Sequence, residues 1–102
     1  MKRTMVRYKV KPEYAEENAR LIQKVFEELH AKSPAGVRYL VLRLNDGTFV
    51  HLSMADTADG VSPIPRLEAF GRYQSGIRER CAELPQSSDV TVIGEYGVLG
   101  ER

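Results

Sequence analysis

Two strand-like runs, Val37 to Leu44 (VRYLVLRL) and Thr48 to Ala55 (TFVHLSMA), flank the turn residues Asn45-Asp46-Gly47. Asp-Gly between alternating apolar runs is a strong hairpin signal. The loop length decides which side chains share a face, because a one-residue slip turns every side chain over. A two-residue loop would pair Leu44 with Phe49 and Leu42 with His51, mixing polar and apolar residues. A three-residue loop pairs Leu44 with Thr48, Leu42 with Val50 and Leu40 with Leu52. That register makes one face of Leu40, Leu42, Val50, Leu52 and Met54 uniformly apolar. It also puts Gly47 at the left-handed bulge position.

Around this hairpin the chain alternates element types. Thr4 to Val10 carries Val6, Tyr8 and Val10 on one side and Arg7 and Lys9 on the other, as a half-buried strand does. Pro12 suits a helix first turn, and Glu13, Glu16 and Glu17 suit its positive end. Ile22, Val25, Phe26 and Leu29 then recur at helical spacing for about five turns, until Ser33-Pro34-Ala35-Gly36 ends the helix. After a polar loop, Asp56 to Ser62, a second helix is expected from Pro63 or Pro65, with Ser62 as its cap. Its stripe is Leu67, Phe70, Ile77, Cys81 and Leu84, and Pro85 ends it. The interior glycines Gly71 and Gly76 suggest something packed close against it. Val90 to Val98 (VTVIGEYGV) is the expected last strand. The order β-α-β-β-α-β is that of a ferredoxin-like α+β sandwich, with two helices on one face of a four-stranded antiparallel sheet.

The 102 residues suit a single domain spanning 1–102. Fifteen Lys and Arg against fourteen Asp and Glu give +1, so bulk charge makes no case for nucleic acid or an anionic membrane as partner. A single cysteine, Cys81, suits a reducing compartment, and a cytoplasmic location is the expectation. Arg7 and Lys9 interrupt the first apolar stretch before a signal-peptide core can form.

With the apolar hairpin stripe assigned to the helices, the other face holds Arg7, Lys9, Tyr39, Val41, Arg43, Phe49, His51 and Ser53. Such a mixed face suits a sheet packed on a copy of itself around a cavity, closing two sheets into a barrel in a twofold homodimer. The element order, the charged first helix and the VRYLVLRLNDGTFVHLSMAD hairpin resemble the dimeric α+β barrel superfamily. The segment SPIPRLEAFGRYQSGIRERC is similar to an uncharacterised subgroup of antibiotic-biosynthesis-monooxygenase-like members. The resemblance implies a small organic ligand in each protomer. As an activity it implies cofactor-independent oxygenation of a phenolic or polyketide-like compound. Those oxygenases use a tryptophan and an asparagine near the substrate. This chain has no tryptophan, and its asparagines are Asn18 and Asn45.

His51 is the candidate general base, since a neutral imidazole exchanges protons near pH 7. A hydrogen-bonded core histidine is the alternative. Arg7 and Arg43 are candidates to hold a substrate anion, or to pair with acidic residues such as Glu95 across a dimer. Tyr39 is a candidate for orienting substrate, or for packing. Cys81 is expected to be a structural thiol. No metal is expected, because two histidines and one cysteine far apart give no ligand spacing, and no bound cofactor is expected either. The competing reading is a non-enzymatic structural or stress-related dimer whose central face is filled with side chains.

Overall fold

The computed structural model describes residues 2–98. β1 (Lys2–Val10) leads through a single 3-10 turn at Pro12–Tyr14 into α1 (Ala15–Lys32). Ser33 ends α1 in the left-handed conformation, φ 46°, and its N–H donates to the Leu29 carbonyl. β2 (Val37–Arg43) and β3 (Thr48–Ala55) form the hairpin. Leu40 pairs with Leu52 and Leu42 with Val50, and Gly47 has φ +91°. The three-residue loop is therefore the one adopted. The four strands form an antiparallel sheet in the order β2-β3-β1-β4, the ferredoxin-like arrangement.

The second helical region is shorter than the sequence suggests. A 3-10 turn at Ile64–Arg66, held by the Ser62 hydroxyl accepting the Ile64 N–H, precedes α2 (Glu68–Gln74) and α3 (Ile77–Arg80). Gly76 separates the two helices with φ +80°, a conformation glycine adopts without steric cost. The space over Gly71 is open, so close packing does not explain that glycine. β4 begins at Cys81 and runs to Asp89, where the helix was expected to continue and the last strand had not yet begun. Pro85 lies inside it. β4 is an edge strand, and its register on β1 slips around Tyr8, where Leu84 and Pro85 face one residue. A proline is tolerated at such an edge bulge because its missing N–H leaves no ladder bond unmade. Beyond Val90, whose N–H reaches the Arg3 carbonyl, residues 91–98 form no strand.

One assignment is inverted. Val6 pairs with His51 and Tyr8 with Phe49, and residues directly opposite in a ladder point to the same face. Val6, Tyr8, Val10, Tyr39, Val41 and Phe49 all belong to the core packed against Ile22, Val25, Phe26, Leu67 and Tyr73 of the helical layer. The mixed face of the hairpin is therefore the one the helices cover. The apolar stripe faces away, leaving Leu40 and Leu42 43% and 51% exposed. The helical layer accepts the less apolar face because its polar atoms find partners there.

Two carboxylate contacts anchor that layer. Glu28 of α1 accepts the first N–H groups of α2, from Glu68 at 3.3 Å and Ala69 at 2.8 Å, and also pairs with Lys32 at 2.7 Å. These bonds hold the Glu28 carboxyl below its usual range, with Lys32 the largest cause. Glu16 of α1 pairs with Arg43 of β2 at 3.0 Å.

Candidate functional site

Four aromatic rings meet where the sheet passes under α2. His51, in the middle of β3, is 5% exposed. Its Nδ1 lies 2.6 Å from the Tyr39 hydroxyl of β2, and its Nε2 lies 2.8 Å from the Tyr8 hydroxyl of β1. Tyr73 of α2 donates to the Tyr8 oxygen at 2.7 Å and stands 3.3 Å from Nε2. Behind Tyr8, the Asn18 amide of α1 donates to the same oxygen at 3.0 Å. The Asn18 carbonyl accepts from Arg80 Nε at 3.0 Å. Arg80 is 3% exposed, and its other two nitrogens donate to the Ser75 and Tyr73 carbonyls.

Burial governs the protonation states. Desolvation lowers the His51 pKa to about 4, so the imidazole is neutral at pH 7 and does not titrate near neutrality as the sequence suggested. Desolvation likewise raises the Tyr39 and Tyr73 hydroxyls well above the usual phenol value. Tyr8 is raised by burial, with the bonds from Tyr73 and Asn18 opposing. Imidazolium and tyrosinate are both disfavoured, so the cluster rests with every tyrosine and the histidine uncharged.

A cavity of about 480 Å³ opens beside this cluster, between the sheet and the helical layer. Tyr39, His51 and Tyr73 line it, together with Val6, Ile64 and Phe70, and Gly60, Val61 and Ser62 also contribute to its wall. Its size and its mainly apolar lining, with a few convergent polar groups, are those of a small-molecule pocket. Two other hollows, of about 520 and 710 Å³, lie at opposite ends of the sheet, away from the aromatic cluster.

The expected site is thus brought together in part. His51 and Tyr39 share the pocket. Arg43 lies over the Phe49 ring at 5.8 Å and against Glu16, and it borders the 710 Å³ hollow instead. Arg7 pairs with Val50 and is exposed on the opposite face of the sheet. The cavity lies between the sheet and the helical layer of one chain and is partly open to solvent. Cys81 is a buried free thiol whose pKa burial pushes up. Among the described residues, no group of three His, Cys, Asp or Glu stands together as a metal site.

Tyr8, Asn18, Tyr73 and Arg80 were not recognised as site residues. Tyr73 had a usable signal, three residues past Phe70 on the buried stripe. Arg80 had none, since either arginine of the charged run RERC reads as solvated.

No family model matches the chain, and no curated protein matches it. Solved structures do. One described as an antibiotic biosynthesis monooxygenase is 16% identical, with a TM-score of 0.73 over 92% of this chain and 100% of that one. A conserved protein from Methanosarcina mazei Go1 is 19% identical, with a TM-score of 0.69 over 86% and 88% of the two chains. Rv0793 from Mycobacterium tuberculosis is 13% identical, with a TM-score of 0.71 over 91% and 95%. The chain shares their fold. At these identities the likeness concerns the fold alone, and one fold hosts many chemistries.

Proposed function

We propose that the cavity under α2 binds a small, mainly apolar phenolic or polyketide-like compound, and that the protein moves protons on it without a cofactor. The observation that carries this reading is His51, held between tyrosine hydroxyls on both ring nitrogens at the wall of a 480 Å³ apolar pocket.

The monooxygenase description of the solved relative makes oxygenation one form of this chemistry. Oxygenation without a cofactor requires a substrate anion that passes an electron to oxygen. Neither arginine expected to hold that anion reaches the pocket, and burial disfavours charge there. Proton transfer on a neutral substrate fits the site better. The reading of a purely structural dimer requires the space beside His51 to be filled, and a pocket of this size supports the binding reading instead.

We also propose that a second copy of the chain covers the outer face of the sheet. Leu40, Leu42, Val50 and Leu52 form a continuous apolar stripe there, which a twofold copy would meet with its own. The test of the binding reading is an NMR titration with 1-naphthol. Shifts confined to Ser53, Ile64, Phe70, Tyr73 and Gln74 are expected, and shifts on Leu40 and Leu42 instead would overturn it.

A further inference from the structure

The hydrogen-bond polarity of the aromatic cluster can be counted atom by atom. Arg80 Nε–H can only donate, so Asn18 Oδ1 accepts and the Asn18 amide nitrogen must donate to Tyr8. Tyr73 also donates to the Tyr8 oxygen, filling both of its lone pairs. The hydrogen of Tyr8 is then directed to His51 Nε2, 2.8 Å away. A neutral imidazole with a bare Nε2 carries its hydrogen on Nδ1 and donates it to the Tyr39 oxygen. The hydrogen of Tyr39 has no partner within the cluster. If His51 takes the other tautomer, every bond from Tyr39 to Tyr73 reverses, and Tyr73 holds the surplus hydrogen. Either way, one hydroxyl hydrogen is left over. Both hydroxyl residues that can carry it line the pocket, whereas Tyr8, Asn18 and Arg80 do not.

We infer that Tyr73, Tyr8, His51 and Tyr39 form a closed proton relay with both ends in the pocket, built to isomerise an enol to its ketone. The substrate class is an enolisable carbonyl compound, such as a 1,3-dicarbonyl. The inference rests on the pocket reading above and goes further by naming the reaction. In the forward direction the enol O–H bond breaks and its proton passes to the Tyr73 oxygen. The Tyr73 proton moves to Tyr8, that of Tyr8 to His51 Nε2, and that of His51 Nδ1 to the Tyr39 oxygen. The Tyr39 proton forms the new C–H bond. The enol O–H pair becomes the carbonyl π bond as the C=C pair takes the proton. No group ends charged, no oxidant is consumed, and His51 finishes as its other tautomer. Water bridging Tyr39 and Tyr73 resets it.

In either polarity the Asn18–Arg80 pair leaves the Tyr8 oxygen one lone pair to accept along the relay and one hydrogen to pass on. It occupies one lone pair of Tyr8 with a donor that cannot reverse. Tyr39 and Tyr73 are the catalytic residues in this scheme, and Tyr8 and His51 act through them.

The experiment follows the ultraviolet absorbance of the enol of benzoylacetone (1-phenylbutane-1,3-dione) as it ketonises in buffer with the whole protein. An NMR titration with the same compound runs in parallel. The expected result is accelerated ketonisation that falls about 100-fold in kcat in Tyr8→Phe with KM unchanged. Tyr39→Phe should fall at least as far. Tyr8 does not line the pocket, so a merely structural role would not separate kcat from KM. A proton inventory on the unmodified protein, in mixtures of light and heavy water, should bow downward because several protons move together. A linear inventory, or a Tyr8→Phe enzyme of unchanged kcat, overturns the relay. Benzoylacetone that shifts pocket resonances while its enol decays at the buffer rate overturns the relay and leaves the pocket reading standing. Absence of pocket shifts overturns the pocket reading for 1,3-dicarbonyls and the relay with it.

Discussion

Acidification should destabilise this protein through one residue. The unfolded chain binds a proton at His51 near pH 6.5, whereas burial lowers the folded value to about 4. As pH falls through that window the unfolded state takes up the proton first, so stability is full above about 6.5 and is lost progressively towards 4. With these two values, linkage gives a loss of about 2 kcal/mol between pH 7 and pH 5, and about 3 kcal/mol once both states are protonated. The groups facing His51 do not share the window. Tyr8, Tyr39 and Tyr73 are all raised and stay neutral. Glu28, Asp46 and Asp59 have lowered values and stay ionised down to pH 5. The assay is urea unfolding of the wild type and of His51→Gln at pH 7 and pH 5, followed by circular dichroism. Glutamine preserves a donor and an acceptor but does not titrate. The wild type should lose about 2 kcal/mol more than the variant over that interval. Equal losses would show that His51 is not held neutral by the fold, and the charge-free site would be withdrawn.

Other perturbations separate local causes. A Cβ at Gly36, where φ is +76°, would stand 2.2 Å from the Asp56 carbonyl oxygen, so Gly36→Ala should cost more than about 2 kcal/mol in urea unfolding. Gly71→Ala meets open space on a helix and should stabilise by about 0.5–1 kcal/mol in the same assay. Val25→Ala, at a site 1% exposed, should cost about 2 kcal/mol. Leu42→Glu should convert a dimer to monomer in analytical ultracentrifugation, and an unchanged mass would remove the outer face as the interface. Glu28→Gln should lower the thermal midpoint at neutral pH and weaken protection of the Glu68 and Ala69 amides in hydrogen exchange.

The hairpin was legible because register is written in alternation, and only one loop length keeps Leu40, Leu42, Val50 and Leu52 on one face. The direction of that face was not. Sequence patterning ranks faces by apolarity, and the stripe with His51 and Arg43 ranks second. Which stripe joins the helices is decided by pairing with β1, where Val6 stands opposite His51, and by partners on α1 and α2 that only folding brings within reach. The last strand was misplaced for a related reason. The run VTVIGEYGV is more strand-like than AELPQSSD, but an exposed edge strand needs only its backbone, and the turn at Gly76 aligns the chain with β1 nine residues early. Of the site, His51 and Tyr39 were legible as polar groups in a strand. Tyr8 and Asn18 were each visible without their connection, and Arg80 was hidden because an arginine buried against carbonyls looks like any solvated arginine in the sequence.

The central claim is that the cavity between the sheet and α2 holds a small oxygen-bearing organic molecule against Tyr39, His51 and Tyr73. A crystal structure of the protein purified from its native host tests it most directly. The account predicts density in that cavity, with an oxygen within hydrogen-bonding distance of the Tyr39 or Tyr73 hydroxyl. A cavity closed by side chains, or a ligand seated on the outer face among Leu40, Leu42 and Arg7, would contradict it.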